Sequence, residues 1–272
     1  MYGYSAARTA TLGCKHRVKG NAMQWTGNTI LVTGGGSGIG RGLAESLQRL
    51  GNHVVIAGRR REPLRAVADA NPGMGYLTLD QGDPGDVRRF ASELIDRYPG
   101  LNVVINNAAI MRVEDVAAGD LDAAEEAVAI NLLGPIWLTA ALLPSLLARP
   151  HAAIINVTSA LAFVPKAITP TYSATKAAMH SFTESLRFQL RDTGVQVIEI
   201  IPPRVKTEIQ EALEYDPNTM PLDAFVAETM AQLRTQQQAS EIVIERAKPF
   251  WRATHDATYS ELFHAVNHAP SA

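Results

Sequence analysis

The run Ile30-Leu31-Val32-Thr33-Gly34-Gly35-Gly36-Ser37-Gly38-Ile39-Gly40 constrains this chain more than any other stretch. Strand-forming residues enter a glycine-rich turn, and a segment with helical apolar spacing (Leu43, Ala44, Leu47, Leu50) leaves it. Glycine permits both the tight turn and the close approach of a ligand. The free N–H groups at the helix start, with the positive end of the dipole, suit a phosphate. Strand, glycine turn and helix together read as the phosphate-binding opening of a dinucleotide fold. The spacing is Thr-Gly-x-x-x-Gly-x-Gly, at Thr33, Gly34, Gly38 and Gly40, rather than G-x-G-x-x-G. Such a turn alone is weak evidence, so support must come from the remaining chain.

Short β-branched runs recur at Thr29–Thr33, Asn52–Ala57, Gly75–Asp80, Leu101–Asn106, Ala152–Thr158 and Val195–Ile201. Between them lie helical patterns near Gly38–Leu50, Glu62–Ala70, Pro84–Arg97, Leu121–Leu147 and Pro170–Thr193. This alternation predicts an α/β fold, a doubly wound parallel sheet of Rossmann type, with ligands beyond the carboxyl ends of the strands. The 272 residues suit one domain, placed at 23–272. Residues 1–22 carry Arg8, Lys15, Arg17 and Lys19 with no acid before Glu45, and lack a secretory apolar core. They read as a poorly ordered extension or an alternative start, with a transit peptide or basic arm as the other reading. The net charge of −2 gives no reason to expect nucleic acid or an anionic membrane as partner. No apolar run is expected to reach the roughly 20 residues that span a bilayer. The single cysteine, Cys14, excludes an intrachain disulfide framework and a Cys-rich metal site, so no metal is expected, and it fits a cytoplasmic location.

The unusual residues cluster at strand ends. The second strand ends in Gly58-Arg59, where an NAD site usually places an acid. Arg59 suits a 2′-phosphate, while a solvated basic helix start, disfavoured by the dipole, is the alternative. Asp80, followed by Gln81, either caps the next helix or accepts from an adenine amino group. Asn106-Asn107-Ala108-Ala109 reads as a strand end passing close to a ligand, or as a plain turn. Asn131 sits inside an apolar run and must brace backbone or hold an ordered water. Ser159 ends the fifth strand, and Tyr172 and Lys176 lie four apart, on one face of a helix. Each is common alone; the combination with a dinucleotide site carries meaning. Pro202-Pro203 stop the sixth strand, and Glu208 to Leu222 reads as a mobile flap or a surface loop.

Taken together, these motifs resemble the short-chain dehydrogenase/reductase family, over about Thr26 to Thr207 and in the family's order. The run Ser173-Ala174-Thr175-Lys176-Ala177-Ala178-Met179-His180-Ser181-Phe182-Thr183 is most similar to a bacterial subgroup that includes the oxidoreductase encoded with teichoic-acid D-alanylation genes. The resemblance implies an NADP-preferring oxidoreductase, with NAD possible, acting on a small carbonyl or alcohol. Gly34, Gly35, Gly36 and Ser37, with Gly38, Ile39 and Gly40 completing the turn, would face pyrophosphate and ribose. Arg59 would hold the 2′-phosphate, Asp80 and Gln81 the adenine, and Asn107 with Ala108 the nicotinamide-side ribose. Pro202, Val205 and Thr207 would border the nicotinamide. Tyr172 would be the general acid/base, Lys176 its activator, Ser159 the anchor of the substrate oxygen, and Asn131 the holder of a relay water.

The chemistry accounts for these residue types. Hydride transfer to a carbonyl carbon develops negative charge on oxygen, which needs a proton and a fixed donor. A free tyrosine has a pKa of ~10, and lowering it by about 2 units takes ~2.7 kcal/mol, within reach of one close ammonium. The resemblance has three departures. Ala109 replaces a frequent glycine, and Pro203 follows Pro202 where Pro-Gly is usual. The usual C-terminal Thr-Gly…Asp-Gly-Gly ending is missing, so Ile242–Asn267 reads as helix in place of a seventh strand. The expected assembly is a homodimer through Leu121–Leu147 and Pro170–Thr193. The rival functions are a cofactor-binding sensor or interaction module without turnover, and a sugar-nucleotide epimerase or dehydratase, for which the chain has little room. Ile110, Met111, Leu161, Phe163, Pro165, Ile168 and the 208–222 loop are expected to line an apolar substrate pocket.

Overall fold

The computed structural model describes residues 23–119, 122–210 and 216–267, so the reading of residues 1–22 lies outside the described residues. Seven parallel strands form one sheet among the described residues, in the order β3-β2-β1-β4-β5-β6-β7. They are β1 Thr29–Thr33, β2 His53–Gly58, β3 Gly75–Thr78, β4 Leu101–Asn106, β5 Ala152–Val157, β6 Val195–Ile201 and β7 Glu241–Val243. The helices are α1 Gly38–Arg49, α2 Arg61–Ala70, α3 Pro84–Arg97, α4 Asp122–Val128, α5 Gly134–Leu147, α6 Pro170–Leu190, α7 Leu222–Thr235, α8 Lys248–Arg252 and α9 Tyr259–Asn267.

Strand alternation sorts the apolar side chains into two cores. Ile30, Val32, Val54, Ile56, Val103 and Ile105 face one side, with Leu43, Leu47 and Phe225 of the helices there. Leu31, Val55, Val104 and Ile154 face the other, against Phe90, Leu94, Leu138 and Leu142. A strand with both faces buried has no polar alternation, as in sheets covered by helices on both sides. The order reverses between β1 and β4, and this switch point opens a crevice at their carboxyl ends.

Three expectations need correction. A seventh strand is present: Glu241–Val243 pairs in parallel with Glu199–Ile201. Its three residues were absorbed into a helical reading, yet Ile242 and Ile244 are fully buried beside β6, where pairing outweighs local propensity. The helical end is also there, as α8 and α9, beyond the strand. The single long helix expected over 121–147 is interrupted by a π turn at Ala129–Leu133. Finally, Asp122–Leu147 is by length and composition apolar enough to cross a membrane. Here its Leu138, Leu142 and Leu146 are fully buried in the core, which accounts for the apolar composition.

Candidate active site

The switch point is closed by a polar clasp. Thr33 Oγ1 accepts from the backbone N–H groups of Asn107 and Ala108, both at 3.0 Å. The Asn107 amide donates back to the Thr33 carbonyl at 2.9 Å. A Cβ at position 40 would sit 2.3 Å from the Gly34 carbonyl oxygen and 2.5 Å from Asn107 Nδ2, so only glycine lets α1 start this close. Gly34 and Gly38 adopt φ of +68° and +50°, which turns the loop toward the cleft. A Cβ on Gly35 would meet Ile56 at 2.5 Å, so this glycine lets the loop pack closely on β2.

A cleft of about 1270 Å³ runs along the carboxyl ends of the strands. At one end it is lined by Gly34, Gly36, Ser37, Gly38 and Ile39. Ser37 precedes α1 without capping it and no acid occupies the first turn, which leaves the first N–H groups without a side-chain cap. That arrangement fits a pyrophosphate. The Glu208 carboxylate reaches this end from beyond β6, 3.4 Å from where a Gly38 Cβ would lie. Arg59 lies on the rim and pairs with Glu126 at 3.1 Å, while Arg112 holds the same carboxylate at 3.3 Å. Those two guanidiniums hold the Glu126 carboxyl below its usual range, against the opposing effect of burial.

Asp80 is exposed, and its carboxylate accepts from Gly82 N–H at 3.0 Å, capping a turn, whereas Asp83 caps α3. Gln81 lines the cleft, but its amide is turned inward and donates to the Ile130 carbonyl at 2.8 Å. That carbonyl belongs to the π turn, whose wider winding frees backbone groups from the α pattern. Within the same turn, Asn131 is buried and doubly tied to the backbone of Ile110, accepting from its N–H and donating to its carbonyl, each at 2.8 Å. Its amide also donates to Thr175 Oγ1 at 3.2 Å, joining the turn to α6.

Ser159, Tyr172 and Lys176 meet at the middle of the cleft. Ser159 begins a short 3₁₀ turn and accepts from Leu161 N–H at 3.1 Å. Tyr172 opens α6 and lines the same cleft as Ser159. Lys176 follows one turn later, with Nζ donating to the Val157 carbonyl at 2.8 Å and lying 5.6 Å from the Tyr172 ring centre. A buried ladder fixes this helix to the sheet: Asn106 donates to Asn156 at 2.8 Å, and Asn156 to Thr183 at 2.8 Å.

The titration of the pair differs from expectation. Burial pushes the Tyr172 phenol up to about 12, offset in part by its hydrogen bond to Ser159, rather than down. Burial lowers Lys176 to about 8, against a raising influence from Glu199. Removing either charged form from water costs more than the opposing group returns, the Ser159 hydroxyl for Tyr172 and the Glu199 charge for Lys176. Tyr172 consequently keeps its proton at neutral pH.

The far end of the cleft is apolar, as expected, with Ile110, Leu161 and Ile168 on its wall. Met111 is buried instead, and Phe163 packs edge-on against His180, with ring centres 4.8 Å apart. Leu262, Val266 and Asn267 of α9 complete the wall, a contribution the sequence did not signal. Asn267 ties α9 down by donating to the Pro165 carbonyl at 3.0 Å and accepting from Ala167 N–H. Pro202, Val205 and Thr207 border the cleft, and a parallel bridge from Val205 to Met220 closes the base of the following loop. Residues 211–215 of the expected flap lie outside the described residues.

Comparison with known proteins gives concordant matches. The family model described as short chain dehydrogenase matches residues 28–218. An uncharacterized oxidoreductase, DltE of Bacillus subtilis, is 38% identical over 253 residues, covering 90% of this chain and 98% of the relative. An uncharacterized oxidoreductase of Staphylococcus aureus strain USA300 is 33% identical, covering 71% of this chain and 83% of its own. Among solved structures, a short chain dehydrogenase from Burkholderia cenocepacia in complex with NADP superposes with a TM-score of 0.77 at 29% identity, covering 91% of this chain and all of that one.

Proposed function

The chain belongs to the short-chain dehydrogenase/reductase family, and from that premise we propose that it is an NADP-preferring reductase of a carbonyl compound with an apolar part, in which Tyr172 supplies the proton. The observation that carries this reading is the convergence of Ser159, Tyr172 and Lys176 in the same cleft as the uncapped start of α1. The nicotinamide cofactor would supply the hydride when bound. The first turn of α1 and the Gly34–Ile39 loop would hold its pyrophosphate, and Arg59, freed from Glu126, its 2′-phosphate. The Ser159 hydroxyl would orient the carbonyl oxygen, and Tyr172 would protonate it as charge develops there. Lys176, kept positive, would stabilise the phenolate left behind. The apolar wall from Ile110 to α9 would hold the remainder of the substrate and exclude water. The relative crystallised with NADP supports the choice of cofactor.

We further infer a homodimer through the helices at 122–147 and 170–190, supported by Leu133, Leu147 and Phe188, which stay 36%, 47% and 66% exposed there.

The direct test of the catalytic reading is Tyr172→Phe, assayed with NADPH against a panel of aliphatic and aromatic ketones and aldehydes. Loss of at least about a thousandfold in kcat with unchanged NADPH binding is expected, in the range of a removed acid. Retained turnover would assign the proton to another group. Turnover absent from the wild type across the panel, with tight NADPH binding, would favour a sensor.

A further inference from the structure

Arg59 does not stand alone at the rim of the cleft. It follows the carboxyl end of β2, and its Nη1 lies 3.1 Å from Glu126 Oε1. Arg112 Nη2 lies 3.3 Å from the other oxygen, Oε2. One carboxylate therefore bridges two guanidiniums, each through its own oxygen. The position of Glu126 follows from where α4 ends. Ala127 and Ile130 are buried, while Glu126 stays partly exposed. A Cβ on Gly82, just past β3, would lie 3.2 Å from Ile130 Cγ1 and 3.9 Å from Ala129 Cβ. The end of α4 is thus held against the loop beyond β3, the neighbour of β2 in the sheet.

Arg112 is fixed from the opposite side. It belongs to the segment after β4, which is tied to the start of α6. Glu114 N–H donates to the Ile168 carbonyl at 3.0 Å, and the Glu114 carboxylate accepts from Thr171 Oγ1 at 2.5 Å and from Thr171 N–H at 3.3 Å. Because the two guanidiniums use different oxygens, Arg59 can leave while Glu126 keeps Arg112. An exposed guanidinium–carboxylate pair is weak, whereas a phosphate monoester carries more charge and matches the guanidinium fork with two bonds. A 2′-phosphate therefore wins Arg59, but against an internal competitor. A ligand that needs a fractionally populated state binds more weakly by that fraction. A dinucleotide without the 2′-phosphate does not need Arg59 and bears no such reduction.

We propose that Glu126 is a specificity-determining residue, an internal anion that competes with the 2′-phosphate for Arg59 and so narrows the preference for NADPH over NADH, while Arg112 draws the carboxylate away from Arg59. This role rests on the assignment of Arg59 to the 2′-phosphate made above. Its two halves have opposite signs. Removing the charge of Glu126 frees Arg59 and strengthens NADPH binding. Removing the charge of Arg112 leaves Glu126 to Arg59 and weakens NADPH binding. A direct contact of Arg112 with the phosphate would also weaken binding, but that loss would persist without Glu126. The competitor role requires the loss to vanish there.

The test is a fluorescence titration of the full chain with NADPH and with NADH, in wild type, Glu126→Gln, Arg112→Gln, the double variant and Arg59→Ala. All three side chains are partly exposed, so these substitutions spare the core. Glu126→Gln should raise the ratio of NADPH to NADH affinity by roughly two- to fivefold, the range of an exposed pair. The gain should shrink as salt is raised, since both groups are open to screening. Arg112→Gln should lower the ratio by a similar factor, and should change nothing once Glu126→Gln is present. An unchanged or lower ratio in Glu126→Gln would make Glu126 a brace of Arg59 and overturn the proposal. An Arg112→Gln loss that persists in the double variant would overturn it too, by placing Arg112 on the phosphate. Arg59→Ala separates the two levels. If it selectively weakens NADPH while Glu126→Gln is silent, only the competitor role fails. If Arg59→Ala leaves the ratio unchanged, the 2′-phosphate assignment fails and the competitor role falls with it.

Discussion

Lys176 is held in a costly environment. Its proton is lost at about 8 in the folded chain against 10.5 for the free group. Between those values the unfolded chain binds more protons, so stability rises with pH across that window, and the full cost is present below pH 8. That cost is about 3 kcal/mol at the standard conversion. Lys176→Met is therefore expected to be more stable than wild type at pH 7, by up to about 3 kcal/mol, with the gain shrinking as pH rises toward 10. Urea unfolding at the two pH values checks this, and a pH-independent difference would contradict it. A residue retained against stability at a cleft is characteristic of a functional group. Arg59 is the opposite case, an exposed cation whose pair with Glu126 is worth little by itself and exchanges readily.

The π turn at Ala129–Leu133 is the element that shapes the site from below. Gly134 begins α5 directly over Gln81, and a Cβ there would sit 2.3 Å from Gln81 Cγ and 2.4 Å from its carbonyl oxygen. Gly134→Ala should push Gln81 off the Ile130 carbonyl and cost about 1–3 kcal/mol, the range for overpacking. Thermal unfolding, with NADPH affinity measured alongside, reads both the loss and its reach into the cleft; an unchanged melting temperature would remove Gln81 as the brace. Neither the π turn nor the Gln81 contact was legible in the sequence, because no spacing of side chains encodes a wider helical turn. Asn131 was legible as a buried amide needing partners, and the strand ends at Thr33, Asn106 and Ser159 were legible because β-branched runs stop there at small polar residues. The short β7 was missed because three residues leave too little alternation to outweigh the helical pattern around them.

At the scale of the whole molecule, the sheet order brings residues 33–40, 106–110, 159–176 and 202–207 to one edge. That grouping was readable from the α/β alternation, since doubly wound sheets bind at their carboxyl ends. The wall supplied by α9 was not, because it depends on a tertiary contact between Asn267 and Pro165 across about a hundred residues. Removing α9 from Tyr259 onward should leave NADPH binding intact and raise KM for apolar carbonyls several-fold, since it lines only the far end of the cleft. Comparable losses in cofactor and carbonyl binding would mean that α9 supports the fold instead. The central claim, an NADP-preferring oxidoreductase site, is tested most directly by titrating the purified protein with NADPH and with NADH, following nicotinamide fluorescence, in wild type and Arg59→Ala. Tighter NADPH binding by at least about tenfold, lost in Arg59→Ala, is the predicted result. Equal or tighter binding of NADH by the wild type would contradict the 2′-phosphate assignment, and binding of neither by folded protein would contradict the account as a whole.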